Sequence, residues 1–168
     1  LLGGQGRLDE AIVEFRKALQ SNPNDAEVHY KLGVILEKQG NSEEAIKEFT
    51  TVLKLSPKHV ETHNNLGLLY AKTGKFDEAV YEFEKALEKN PGYTKAYNNL
   101  GIVYAEQGEF EQAIAHFKKA MSVRPKDPEA YFNIAETYSR LQSEKEAIRY
   151  YEQYLELSPN DDNTYKVR

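Results

Sequence analysis

His59 and His63 stand four residues apart, a spacing that places two imidazoles on one helical face and could chelate a divalent metal. The carboxylate between them is Glu61, whereas a hydrolytic zinc helix needs its Glu directly after the first His. No third ligand is apparent, and His63 falls, with His29, in a column otherwise filled by aromatic packing residues. Packing is therefore the expected role of both, and no metal is expected. Serine shows no Gly-x-Ser-x-Gly setting, and the glycines do not form a phosphate-cradling loop. Cysteine is absent, which removes disulfides, thiol nucleophiles and thiolate metal sites together. The 27 acidic residues bring many carboxylates close, but they occupy polar helical positions and read as a solvated face. We expect no catalytic residue and no cofactor.

What the glycines, prolines and aromatics do instead is repeat. Pro23, Pro57, Pro91, Pro125 and Pro159 are each 34 residues apart, and only Pro128 stands outside the series. Ala11, Ala45, Ala79, Ala113 and Ala147 keep the same phase, as do Phe15, Phe49, Phe83, Phe117 and Tyr151. Glycine recurs twice per unit, as Gly33, Gly67 and Gly101 and as Gly6, Gly40, Gly74 and Gly108.

Each unit reads as two short helices. Tyr97, Leu100, Gly101 and Tyr104 form an apolar stripe at i, i+3, i+4 and i+7, and Phe110, Ala113, Ile114, Phe117 and Ala120 form a second. Gly108 ends the first helix by taking the left-handed conformation, and Pro125 ends the second. Asp25 and Asp127 are placed to cap the helices that follow. Gly101 and Ala113 are expected to face each other where the two backbones approach. The pattern predicts helices over 8–21, 25–38, 42–55, 59–72, 76–89, 93–106, 110–123, 127–140 and 144–157. Tyr70, Tyr104 and Tyr138, and Tyr97 with Tyr131, are expected in the core.

The run Tyr97, Leu100, Gly101, Tyr104, Ala113, Phe117, Ala120, Pro125 resembles the tetratricopeptide repeat. His63, Leu66, Gly67, Tyr70, Ala79, Phe83, Ala86 and Pro91 match nearly as well. The first full unit departs at Leu36 and Val52, and the fourth at Ala135, Gln142 and Tyr154. The resemblance covers essentially the whole chain. It implies an all-α right-handed superhelical solenoid of antiparallel helix pairs, with the first helices lining a concave face used for binding. The implied units are a leading second helix in 1–25, full repeats at 26–59, 60–93, 94–127 and 128–161, and the start of a further helix or cap at 162–168.

Counting Ala26, Val60, Thr94 and Pro128 as position one, packing takes positions four, seven, eight and eleven. Three other columns carry the candidate peptide-binding groove: Tyr30, Asn64, Asn98 and Phe132 at position five; Lys31, Asn65, Asn99 and Asn133 at six; Val34, Leu68, Ile102 and Glu136 at nine. An apolar residue facing solvent at position nine suits a partner or a neighbouring helix. A carboxamide offers both donor and acceptor, so asparagines one repeat apart can hold an extended chain by its backbone. The column is similar to the asparagine ladder of O-linked N-acetylglucosamine transferases, and resembles bacterial and archaeal scaffolds of this family. Hydrogen bonds to neighbouring helices are the alternative use. The family's two-carboxylate clamp is not met. Asn65, Asn99 and Lys95 fit it, but positions five and nine lack its Lys and Asn.

The net charge of −5, without a basic run, argues against nucleic acid, and no apolar run suits membrane insertion. The absence of a signal segment and of an Asn-x-Ser/Thr acceptor leans towards the cytoplasm. The chain opens without Met and reads as an excised piece whose array continued in both directions. We expect a non-enzymatic protein-interaction scaffold holding a partner segment in the groove. Its alternatives are the substrate-recruiting arm of a larger enzyme, such as a glycosyltransferase, and a scaffold that self-associates head to tail through its open ends.

Overall fold

The computed structural model describes residues 2–159, with side chains from residue 6. The described residues form helices α1 Leu2–Ser21, α2 Ala26–Gln39, α3 Ser42–Leu55, α4 Val60–Lys72, α5 Phe76–Lys89, α6 Thr94–Glu106, α7 Phe110–Val123, α8 Pro128–Arg140 and α9 Glu144–Leu157. This is an all-α repeat solenoid, and its helix bounds follow the 34-residue period within a residue or two from α2 onward.

Two compact units divide at Asn90 and Pro91. In the first, each of α1 to α5 packs on the next, around a core of Ile12, Leu32, Leu36, Ala45, Phe49, Leu66 and Leu69. In the second, α6 to α9 pack in the same order, α6 also touches α8, and Ala105, Ala113, Phe117 and Ile134 form a buried cluster.

The local signals work as their chemistry requires. Asp25 Oδ1 accepts from the amides of Glu27 and Val28 at 3.1 Å each, and Asp127 Oδ1 accepts from Glu129 N at 3.2 Å, so both cap their helices. Gly40, Gly74 and Gly108 take φ of 84°, 75° and 80° where the first helix of each pair ends. Gln142 must do the same without glycine, at φ 57°.

One expectation is corrected. Gly6 shares the phase of the turn glycines, yet α1 runs through it without a break. The expected start at Leu8 is therefore six residues late. The glycine of each first helix also lies against the phenylalanine of the second. A Cβ on Gly101 would lie 2.4 Å from Phe117 Cε1, on Gly67 2.5 Å from Phe83 Cε1, and on Gly33 2.7 Å from Phe49 Cε1. Glycine at this position leaves room for the phenylalanine ring of the second helix. Tyr165 and the expected further helix at 162–168 lie outside the described residues.

Candidate functional site

The first helices α2, α4, α6 and α8 carry the three candidate columns, and the structure treats each column differently. Position five is drawn into contacts with neighbouring side chains. Tyr30 meets Phe49 at 5.9 Å between ring centroids, and Phe132 meets Tyr151 at 6.0 Å and Tyr154 at 5.2 Å. Asn64 and Asn98 are only 4% and 2% exposed.

Position six is half-buried at Asn65, Asn99 and Asn133 and exposed at Lys31. Lys31 pairs with Glu27 at 3.2 Å along its own helix. Asn65 Nδ2 donates to Tyr30 Oη at 3.4 Å, joining α4 to α2, so at this residue the alternative use of the carboxamide is partly realised. Asn133 differs: its Nδ2 is buried and has no hydrogen-bond partner. A buried amide donor left unsatisfied costs about 1–3 kcal/mol. Position nine is half-buried at Val34, which packs on the core of the first unit. Leu68 and Ile102 are 38% and 42% exposed, and Glu136 is exposed and accepts a hydrogen bond from Tyr151 Oη.

In the second unit these residues border a cavity of about 310 Å³ lined by Ile102, Ala105, Glu106, Phe117, Asn133, Glu136, Thr137 and Arg140. The Thr137 hydroxyl is committed to the Asn133 carbonyl at 2.7 Å. Arg140 reaches Glu106 at 3.6 Å and lies 5.0 Å from the Phe110 ring centroid. Glu106 and Arg140 occupy the same repeat position one period apart, which is the sequence signal for their proximity. Sequence reasoning passed over them because charges at that position also read as a solvated face.

The histidines are accounted for by the frame. His59 begins α4, its Nδ1 accepting from the Thr62 amide at 3.3 Å, and its ring lies 4.8 Å from that of Tyr30. His63 points elsewhere, with Nδ1 2.7 Å from Glu82 Oε2 and Nε2 3.4 Å from the Pro57 carbonyl. His29 repeats this tie one unit earlier, to Glu48 at 2.5 Å and to the Pro23 carbonyl at 2.9 Å. In the second unit the same two positions become aromatic contacts, Tyr97 with His116 and Tyr131 with Tyr150. Tyr131 keeps the loop contact by donating to the Pro125 carbonyl at 2.9 Å. Burial first, and the charge of Lys119 second, hold His116 below the usual imidazole range. The spacing of 19 between paired positions was the signal that went unread. Among the described residues no group of three His, Cys, Asp or Glu side chains could hold a metal ion. No helix there is long and apolar enough to cross a membrane.

Comparison with known proteins follows the same frame. A family model described as Tetratricopeptide repeat matches residues 24–91, 62–126 and 92–160, and one described as TPR repeat matches residues 4–40. A solved structure of MamA is 29% identical, with a TM-score of 0.84, 93% of this chain covered and 91% of that one. MamA from Desulfovibrio magneticus RS-1 is 25% identical at a TM-score of 0.84, covering 94% of this chain and 89% of that one. PilF of Pseudomonas aeruginosa, 22% identical with a TM-score of 0.80, covers 91% of this chain and 70% of that one and shows the shared fold. A search of curated proteins finds no match to this sequence.

Proposed function

This chain belongs to the tetratricopeptide repeat family, whose fold supports a protein–protein interaction scaffold, and on that premise we propose that its first helices bind an extended segment of a protein partner. The observation that carries the reading is the pairing of columns six and nine. Leu68 and Ile102 expose apolar surface beside carboxamides in successive repeats, and neither is required by the packing of its own hairpin. The carboxamides then hold the segment's backbone and the apolar residues receive its side chains. No step of chemistry is assigned to the chain, and the role is that of a non-enzymatic scaffold.

The test is a pull-down from native lysate with the parent chain and with the combined variant Asn65→Ala, Asn99→Ala and Asn133→Ala. Each lost hydrogen bond is worth about 0.5–1.5 kcal/mol, so the variant should lose one to three decades in affinity for the captured partner while keeping its helical signal. Capture of the same partner with equal affinity by the variant places binding on another surface.

A second reading rests on α9. Ile114 in α7 is 7% exposed beneath α8, whereas its equivalent Ile148 in α9 is 57% exposed. That face suits another helix of the repeat type, including one from a second copy of this chain. Light scattering across a tenfold concentration range checks it: mass rises in the parent and stays constant in Ile148→Lys. A constant parent mass removes this reading.

A further inference from the structure

We propose that the cavity between α6 and α8 is an anchor pocket for one bulky apolar side chain of an extended peptide, with a basic residue next to that anchor. The inference rests on the groove reading and names what the second unit selects. Its floor and one wall are apolar: the ring of Phe117, only 1% exposed, with Ala105 and the 42% exposed Ile102. At about 310 Å³ the cavity sits at the lower end of the range for ligand clefts, which suits a single side chain better than a whole small molecule. Its one uncommitted polar group is Asn133 Nδ2, a buried donor without a partner. Thr137 cannot play that part, because its hydroxyl is spent on the Asn133 carbonyl. A peptide carbonyl beside the anchor would accept from Asn133 and remove the cost of the unpaired donor.

The rim sets the charge preference. Glu106 and Glu136 border the opening with Arg140, so the rim is acidic by one charge. Arg140 is already turned to Glu106 and to the Phe110 ring, whereas Glu136 engages only one neighbouring hydroxyl among the contacts that line the cavity. A lysine or arginine adjacent to the anchor therefore meets Glu136 favourably, and an acidic residue there is repelled.

A displayed library of random twelve-residue peptides, panned on the full chain, tests this. Enriched sequences are then synthesised with a fluorophore and titrated by anisotropy. The expected result is enrichment of one Leu, Ile, Phe or Met with a neighbouring Lys or Arg. Changing that anchor to Ala in the peptide should weaken binding about 10- to 100-fold, since about three buried carbons are lost. Ile102→Asp should weaken it comparably, and Glu136→Gln should reduce the preference for a basic neighbour. The peptide-side change needs no variant protein, so the result does not depend on how Ile102→Asp folds. Binding that ignores the anchor and Ile102 but weakens in Asn65→Ala or Asn99→Ala overturns the pocket and leaves the groove reading standing. Enrichment of acidic neighbours overturns the rim assignment and with it the proposal. A library that enriches nothing over bare support removes both the pocket and the groove reading.

Discussion

Adding one methyl group at Gly67 should destabilise the protein, against the usual helical preference for alanine, and shrinking Phe83 should reverse the sign. Alanine in a helix interior is favoured over glycine by about 1 kcal/mol. At Gly67 that gain meets three ring carbons of Phe83, at 2.5, 2.7 and 2.8 Å from the new Cβ. Phe83 is 0% exposed, so its ring cannot swing into solvent. Overpacking of a tight core costs about 1–3 kcal/mol, and contacts this short belong in the upper half of that range. The net loss expected for Gly67→Ala is therefore about 1–2 kcal/mol. Phe83→Leu alone should cost about 1–2 kcal/mol, and Phe83→Ala about 3–5 kcal/mol, as emptied core positions do. In the Phe83→Leu background the methyl group has room, and Gly67→Ala should become neutral or stabilising by up to about 1 kcal/mol. The coupling across this cycle is then about 1–3 kcal/mol, the size found for residues in direct contact. Urea midpoints of the four proteins at unchanged slope measure it. Additivity within about 0.5 kcal/mol, or a stabilising Gly67→Ala in the parent, would refute the claim that glycine is there to seat the ring.

Three further outcomes follow from local features. Gln142 holds a left-handed conformation that its three counterparts give to glycine, so Gln142→Gly should stabilise by about 0.5–1 kcal/mol and raise the melting temperature by a few degrees; an unchanged or lower melting temperature counts against strain there. Asp127→Ala should cost about 0.5–2 kcal/mol, read from the urea midpoint, because the amide of Glu129 loses its acceptor. Burial lowers the His29 pKa, but its hydrogen bonds to Glu48 and the Pro23 carbonyl, with the charges of Glu48 and Asp25, outweigh that and raise it above the usual imidazole value. A raised folded pKa stabilises below the unfolded value of about 6.5 and that contribution fades as pH rises through the folded value; urea midpoints of the parent should fall over this window more than those of Glu48→Gln, and parallel profiles would exclude the tie.

The fold was legible because its signals are local and repeat in phase. Pro125 and Gly108 each end a helix by their own backbone chemistry, whatever surrounds them, and the period then multiplies a single reading across the chain. Gly6 shows the limit of that reasoning: the same residue in the same phase lies inside a continuous helix. The site was legible at lower resolution. Leu68 and Ile102 stand out as apolar residues that no stripe absorbs, and the structure leaves both exposed. Asn64 and Asn98 looked equivalent to Asn65 and Asn99 from spacing alone. Neighbouring positions on a helix diverge by about 100°, and that rotation buries one carboxamide and leaves its neighbour half-buried. The cavity itself needed Arg140, Glu106 and Phe117 brought together from three helices, which no single stripe announces.

The fourth repeat shows why single-column departures have to be read in pairs. Ala135 replaces the glycine whose place beside the ring tolerates no Cβ in the earlier repeats, so the residue that would sit there must move. Tyr151 does so: it is half-buried, and its hydroxyl finds Glu136 at the edge of the cavity. On the next turn Tyr154, 2% exposed, buries a ring where the other repeats place Ala86, Ala120 or Val52. Phe132 completes the exchange by packing on Tyr154 from position five, which in the two preceding repeats is asparagine. Four substitutions that look independent in the sequence are thus one repacking of the hairpin. Its consequence lies at the cavity rim, because the displaced Tyr151 is the residue that orients Glu136. Restoring the glycine with Ala135→Gly should loosen that contact without opening the core, since Tyr154 already fills it. A change in the preference for a basic neighbour, with the unfolding free energy from urea titration lowered by no more than about 1 kcal/mol through the helix penalty of glycine, is the outcome this coupling requires.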